Sequence, residues 1–530
     1  MSGPDRTDRT PVDNADVCII GAGPAGALVA DRLAADCEVV VLEAGGRFDP
    51  ADRLERMEQA IRPAHGRPEI WEVGGDRDAY AASGEWFYPL NHARVKGVGG
   101  STLNWQGMVM RLHQDDFNSQ TARGVGADWP IGYEELRQYY AAAERELGVA
   151  GSVDNPHAPP RETPYPMTGF EPSYSDSLFA DACDRLGIDM HSVPNARNAE
   201  PYDDRPACTG YGTCQPVCPS GAKYDATVHA ERAERNGATV IDRAPVQFLD
   251  HTADRVTAAV YMTPDNDRHR QTAEQFVIAC GGVETPRLLL LSDSEQYPDG
   301  LANSSGLVGK YFMEHLFAGM GGVLEEPTRQ NHVGFHTSEC HQFYDAADES
   351  IGPFKLEFLN HAGPSAVGMA LSGDDWGDTL LQRLRSEYGH HVGVGALVEQ
   401  LPSEESYVAL DHTQTDDRGN PVPDVHWTVG DRALNTIERA NEVQRAILDE
   451  LGAEVTWQVG PDDTGPAYHQ MGTTRMGTDP TDSVVDAACC THDLENCWIA
   501  SSSVFPTGGA MNPTLTIAAL AVRVADDIAE

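Results

Sequence analysis

Lysine is nearly missing from this chain. Of its 530 residues only Lys96, Lys223, Lys310 and Lys355 are lysine, and 38 basic residues face 82 acidic ones, for a formal charge of −44. The acidic residues are scattered rather than gathered in a tail, as expected of a coat on a folded surface. Such a surface repels nucleic-acid phosphates and anionic membranes, which excludes nucleic acid as a partner. It also repels itself, and salt screens that repulsion, so the composition points to a salt-adapted, halophilic host. Long apolar runs are lacking too. Nothing approaches the roughly 18 apolar residues of a membrane helix, and Met1–Asn14 is polar, with no apolar segment, twin-arginine motif or cleavage site. No direct membrane insertion is expected. The expected location is cytoplasmic, with export or membrane association through a partner subunit left open. Eleven cysteines in a chain of this length do not make a disulfide scaffold. What remains is a large acidic protein, long enough for several domains of ~100–200 residues.

The clearest local unit runs from Ala15 to Glu43. Val17-Cys18-Ile19-Ile20 reads as a buried parallel strand, and Gly21-Ala22-Gly23-Pro24-Ala25-Gly26 follows at once. A helical stretch comes next, then a second strand, Val39-Val40-Val41-Leu42, ending on Glu43. Gly21 suits the tight turn, Gly23 the approach of a pyrophosphate, and Gly26 close helix–strand packing. Free N–H groups and the positive end of the helix dipole would meet the phosphates. Glu43 stands where a carboxylate can accept hydrogen bonds from ribose hydroxyls. The unit predicts dinucleotide binding without choosing between NAD and FAD, and the acid at Glu43 disfavours NADP.

Later segments carry further signals. Lys96-Gly97-Val98-Gly99-Gly100-Ser101-Thr102-Leu103-Asn104-Trp105 is a second glycine-rich turn, suited to a flat ligand. Phe276-Val277-Ile278-Ala279-Cys280-Gly281-Gly282 reads as a strand entering a turn, with a helix opening at Glu284-Thr285-Pro286-Arg287. Near the end come Tyr468-His469-Gln470-Met471-Gly472-Thr473, Val504-Phe505-Pro506-Thr507, Asn512-Pro513-Thr514-Leu515-Thr516-Ile517 and a terminal amphipathic helix. With Asp128-Trp129-Pro130-Ile131-Gly132-Tyr133 and Asn303-Ser304-Ser305-Gly306-Leu307-Val308-Gly309, these segments resemble, in order, the glucose-methanol-choline (GMC) oxidoreductase family.

That resemblance implies an α/β fold, a Rossmann-type FAD-binding domain with a second α+β substrate domain containing an antiparallel sheet. The FAD domain would be assembled from 15–130, 206–318 and 461–530. Residues 131–205 would form a helical and loop segment leading to the cap, and 319–460 the substrate domain. It implies cofactor contacts at Gly99, Gly100, Ser101, Asn104, Val246, Ser501, Asn512, Pro513 and Thr514. The valine would touch adenine through its backbone. Some relatives tether the flavin covalently through a histidine at or near position 104; Asn104 cannot, so FAD is expected to be non-covalent. Many relatives have Asp near position 501, where Ser501 brings no charge.

Oxidising a CH–OH group requires loss of a hydroxyl proton and of a hydride, the latter taken by flavin N5. An imidazole titrates near working pH, and the resemblance places His469 at the flavin as base beside Asn512, whose amide can hold the substrate oxygen. His315, in Met313-Glu314-His315, is read as structural.

Cys208, Cys214 and Cys218, followed by Pro219, lie on a Gly-rich loop in C-x5-C-x3-C spacing. Three thiolates so arranged can wrap a compact metal centre. A disulfide with one spare thiol, a zinc site with His229 as fourth ligand, and inert buried thiols are alternatives. The stretch from Pro201 to Tyr224 resembles the flavoprotein subunits of bacterial glucose, gluconate and fructose dehydrogenases, in which three cysteines ligate a 3Fe-4S cluster. The resemblance thus implies a dehydrogenase of a sugar, polyol or sugar acid, handing electrons to an acceptor protein or small subunit. Rival readings are an alcohol- or choline-type dehydrogenase or oxidase without a cluster, and a flavin-binding protein without turnover.

Overall fold

In the computed structural model, which describes residues 9–61, 70–329, 336–344 and 348–530, the first apolar run becomes the strand Ala15–Ile20. Of the polar N-terminal segment, residues 1–8 lie outside the described residues. Ala15–Ile20 is the centre of a five-stranded parallel sheet. The order is Cys497–Ile499, Ala273–Ile278, Ala15–Ile20, Val39–Leu42, Thr239–Ile241. Covered strands read as continuous apolar runs, and Val39–Leu42 is buried at every position. Ile20 pairs in register with both Ile278 and Leu42, so three strands end level and the turns at Gly21, Glu43 and Ala279 share one edge. Ligands of open parallel sheets bind at that carboxyl edge. The helix Pro24–Leu33 packs against Thr514–Ala529 and Thr227–Arg235, and Tyr133–Leu147 packs on Thr514–Ala529.

The second layer is a seven-stranded sheet whose described pairings are all antiparallel. Its path is Glu454–Val459, His315–Val323, His391–Glu399, Phe354–Phe358, Ser338–Cys340, His191–Ser192, with Gly465–Pro466 beside His315–Val323. Alternation along the strands separates two faces. Leu316, Ala318, Met320, Phe354, Leu356, Phe358, Val392, Val394, Ala396 and Val398 join one buried cluster with Ile437, Ala440 and Ile447 of the helix Asp431–Leu451. The opposite face carries Phe317, Glu357 and Leu397 and lines a cavity. The architecture is thus the expected one, a parallel Rossmann-type sheet joined to an antiparallel sheet. The boundary expected at 318/319 differs from the structure, because it cuts the strand His315–Val323; the sheet also extends past 460, to Gly465–Pro466, and back to His191–Ser192.

The helix expected to open at Glu284 begins at Gly281, with Pro286 inside it. Proline has no N–H for the carbonyl four residues back. That carbonyl, on Gly282, instead accepts from the Thr473 hydroxyl at 2.7 Å. One helix turn is thereby tied to the segment that carries His469.

Candidate active site

A cavity of about 920 Å³ runs from the carboxyl edge of the parallel sheet to the open face of the antiparallel one. At its first end the Ala22 and Gly45 N–H groups each donate to the Glu43 carboxylate, both at 2.8 Å. Gly21 has φ +102°, and a Cβ there would stand 2.6 Å from the Ala279 carbonyl oxygen. A Cβ on Gly23 would meet nothing, because that position opens into the cavity. Gly26 packs on the Gly21 carbonyl and does not line the cavity. The second glycine turn is seated on the first. Gly99 N–H donates to the Ala22 carbonyl at 2.9 Å, and a Cβ on Gly100 would lie 2.8 Å from the Gly23 Cα. Sequence reading found both turns but not their contact.

Gly100, Ser101, Asn104, Val246, Asn512, Pro513 and Thr514 line the cavity, as do Trp105, Gln106, Gly107 and Met108, for which sequence reading gave no role. Gly99 does not line it and acts by holding the turn. Ser501, expected to touch the cofactor, does not line the cavity. It is buried and its hydroxyl accepts from Ser503 N–H at 3.0 Å, capping a single helical turn, while the neighbouring Ser502 lines the cavity. The strand Cys497–Ile499 has ended before this pair, and the offset arises where Ser501 caps the turn Ser502–Val504.

His469 and Asn512 meet at the junction of the two layers, with Asn512 Nδ2 3.4 Å from His469 Nε2. The Asn512 and Asn104 Oδ1 atoms are buried without a hydrogen-bond partner among the described residues. His315, the first residue of its strand, and Glu314 just before it hold His469. Glu314 accepts from the His469 N–H at 2.6 Å and the His315 N–H at 3.2 Å, and Tyr88 Oη donates to its other oxygen. Burial pushes Glu314 up to about 8, against these donors. The His315 ring, fully enclosed, places Nε2 2.9 Å from the Gly509 carbonyl and 3.2 Å from that of Gly508. Burial lowers His315 to about 4, so the ring is neutral and Nε2 carries its proton. Its Nδ1, 2.9 Å from His469 Nδ1, therefore accepts from the His469 Nδ1–H. Burial, with the Lys355 charge, also holds His469 well below the usual imidazole value. The result is a neutral His469 whose Nε2 lone pair points to Asn512. A lone pair beside an amide N–H can take a proton from a hydroxyl and hold the oxygen left behind. His315 was read as structural; it acts on His469 directly.

Cys208, Cys214 and Cys218 line a second, small cavity with Arg197, and none of the three is in a disulfide. Against the cost of burial, the Lys223 backbone, the Ser220 hydroxyl and the Lys223 and Arg53 charges lower the Cys218 thiol. Gly212 lines both cavities. Lys223 ties this loop to the turn holding Asn104, donating to the carbonyls of Leu103 at 3.3 Å and Trp105 at 2.6 Å. His229 lies elsewhere, with Nδ1 2.8 Å from the Tyr224 hydroxyl, which counts against the zinc alternative. Among the described residues, Asp31, Glu146 and His229 form the one group of three ligand-type side chains with atoms within 4.8 Å of each other. Arg232 already bridges its two carboxylates, at 3.2 and 3.0 Å. Also among the described residues, no helix is long and apolar enough to cross a membrane.

The chain matches the family models described as GMC oxidoreductase over residues 89–317 and 402–521. It is 35% identical to the fructose dehydrogenase large subunit of Gluconobacter japonicus, covering 97% of this chain and 98% of that protein. It is 33% identical to the 2-methyl-1,2-propanediol dehydrogenase of Mycolicibacterium austroafricanum, covering 98% and 96%. Among solved structures, pyridoxine 4-oxidase from Mesorbium loti superposes with a TM-score of 0.66 at 18% identity, over 97% of this chain and 99% of that one.

Proposed function

This chain belongs to the GMC oxidoreductase family, as an FAD-dependent oxidoreductase acting on CH–OH donors, and we propose that it is a dehydrogenase of a sugar, polyol or sugar acid with His469 as base and Asn512 as oxygen holder. The observation that carries the reading is the meeting of His469 and Asn512, with His469 Nδ1 2.9 Å from His315 Nδ1 and its Nε2 3.4 Å from Asn512 Nδ2. The cradle of Gly21, Gly23, Glu43, Gly100, Ser101, Asn104, Val246, Pro513 and Thr514 would hold the cofactor; the open position at Gly23 and the unpartnered Asn104 oxygen fit it. FAD, when bound, supplies the acceptor for the hydride. The protein's own part is to take the hydroxyl proton at His469 Nε2, to hold the oxygen at Asn512 Nδ2, and to keep water away with Phe317, Leu359 and Leu397. We assign the parallel sheet and its loops to FAD and the antiparallel sheet to the substrate.

Cys208, Cys214 and Cys218 would hold a 3Fe-4S cluster, which supplies one-electron transfer toward a partner carrier. Three free thiols around one cavity, a lowered Cys218 and the wall shared through Gly212 support this. A group of that size also suits thiols that do not crowd around a single ion. The relative's designation as a large subunit supports an assembly with another chain. Iron analysis of anaerobically purified protein tests it. About three irons per flavin is expected, and iron-free protein from an anaerobic preparation would leave a GMC alcohol dehydrogenase or oxidase without a cluster.

A further inference from the structure

The substrate end of the cavity is split by charge. Across one row of the antiparallel sheet, Val459, Gly319, Gly395, Glu357 and Glu339 stand in register on five strands. The next row places Phe317 beside Leu397 and Leu397 beside Lys355. In these two rows the side chains on the 454–459, 315–323 and 391–399 strands are apolar, and those on 354–358 and 338–340 are charged.

That charged wall is unbalanced. Lys355, fully buried, lies 2.6 Å from a Glu339 oxygen and 2.8 Å from Glu357 Oε1. One carboxylate would neutralise it. A second buried carboxylate on the same ammonium costs desolvation without a charge of its own to meet. Glu339 is further engaged by His341 Nε2 at 3.0 Å, whereas the other oxygen of Glu357 has no protein partner among the described residues, and Glu357 forms part of the cavity wall. Among the described residues, Lys355 is the cation paired with it. His336, also in the wall, is lowered to about 3 by burial and is neutral. The arginines and lysine that line the cavity (Arg77, Arg94, Lys96, Arg287 and Arg418) are all paired to Asp78, Glu284, Asp416 or Asp417. That network joins the nucleotide end, where Asn420 donates to Gln247 at 2.6 Å.

We propose that Glu357 is the specificity-determining residue of this site, accepting a hydrogen bond from a second hydroxyl of a neutral polyol or sugar and repelling sugar acids. This rests on the dehydrogenase reading above and narrows it. A hydroxyl satisfies the free carboxylate oxygen, a carboxylate ligand would add a second uncompensated negative charge, and a monohydric alcohol would leave the oxygen unpaired.

The test uses FAD-loaded protein, mixed anaerobically and rapidly with sorbitol, 1-propanol or gluconate, in the wild type and in Glu357→Leu and Glu357→Gln. Bound flavin absorbance reports that each variant has folded, and Glu357→Gln, which keeps the size and polarity of the side chain, serves if the leucine variant does not fold. The efficiency of flavin reduction by sorbitol relative to 1-propanol is expected to fall about 10- to 100-fold in Glu357→Leu, the scale of a lost charge-assisted hydrogen bond. Discrimination against gluconate should shrink in both variants. Wild-type protein that reduces as fast with gluconate as with sorbitol, or variants whose sorbitol-to-propanol ratio and gluconate discrimination stay at the wild-type values, would overturn the assignment while leaving the dehydrogenase reading intact. Wild-type flavin bleached by no alcohol would overturn that reading, and this one with it.

Discussion

His315 Nδ1 lies 2.9 Å from His469 Nδ1, and the carbonyls of Gly508 and Gly509 fix which of the four ring nitrogens carry protons. A buried ring thus sets the tautomer of the one beside the substrate. His315→Leu removes the acceptor for His469 Nδ1–H. One hydrogen bond is worth ~0.5–1.5 kcal/mol, so flavin reduction should slow by up to about tenfold, with a changed pH profile and little change in KM. Rapid-mixing kinetics across pH check this; an unaltered profile would make His315 packing alone.

Acid should act through His315 and His336. His315 falls from an ordinary value of 6.5 to about 4 on folding, and His336 to about 3. A histidine depressed in the folded state contributes stability that is complete above its unfolded value and is lost as pH falls through the folded one. Between about pH 6.5 and pH 4 the melting temperature of the wild type should therefore drop relative to that of His315→Leu, read by calorimetry of the two proteins.

Much of this site was legible because its signals are local. The run from Val17 to Glu43 carries strand, turn, helix and terminal acid within thirty residues, and the structure folds it in that order. What escaped depends on contacts across the chain. Nothing near Pro286 announces that Thr473 serves the carbonyl it abandons. Gly23 and Gly100 meet only because two turns far apart in sequence converge. Ser501 and Ser502 differ by one position in a strand exit, and only the phase of the backbone decides which faces the cavity. Glu357 sits in the expected substrate domain, where sequence reading named no site residue, and its place is visible only beside Lys355 and Glu339.

The acidic coat predicts a need for salt. Lys223 and Lys355 are buried, Lys96 is half-buried, and both Lys96 and Lys355 are paired with carboxylates, which leaves lysine almost absent from the surface. At molar salt the Debye length is ~3 Å and the repulsion among excess carboxylates is screened. Melting temperature should climb with KCl concentration; a salt-independent melting curve would give the charge another explanation.

The flavin should be free of covalent attachment. Asn104 stands in the cavity wall with an unpartnered oxygen, and an amide offers no nucleophile for a tether. Acid precipitation should release the yellow colour into the supernatant, and flavin retained in the pellet would contradict this.

The central claim is that His469 takes the hydroxyl proton as hydride leaves for the flavin. Anaerobic rapid mixing of FAD-loaded protein with a neutral polyol measures that step alone, before any electron leaves the protein. In wild type the flavin should bleach in a single substrate-dependent phase. In His469→Ala the rate should drop by about 10²–10⁴-fold with FAD still bound, and Asn512→Ala should cost less. A His469→Ala variant that bleaches at the wild-type rate would contradict the account.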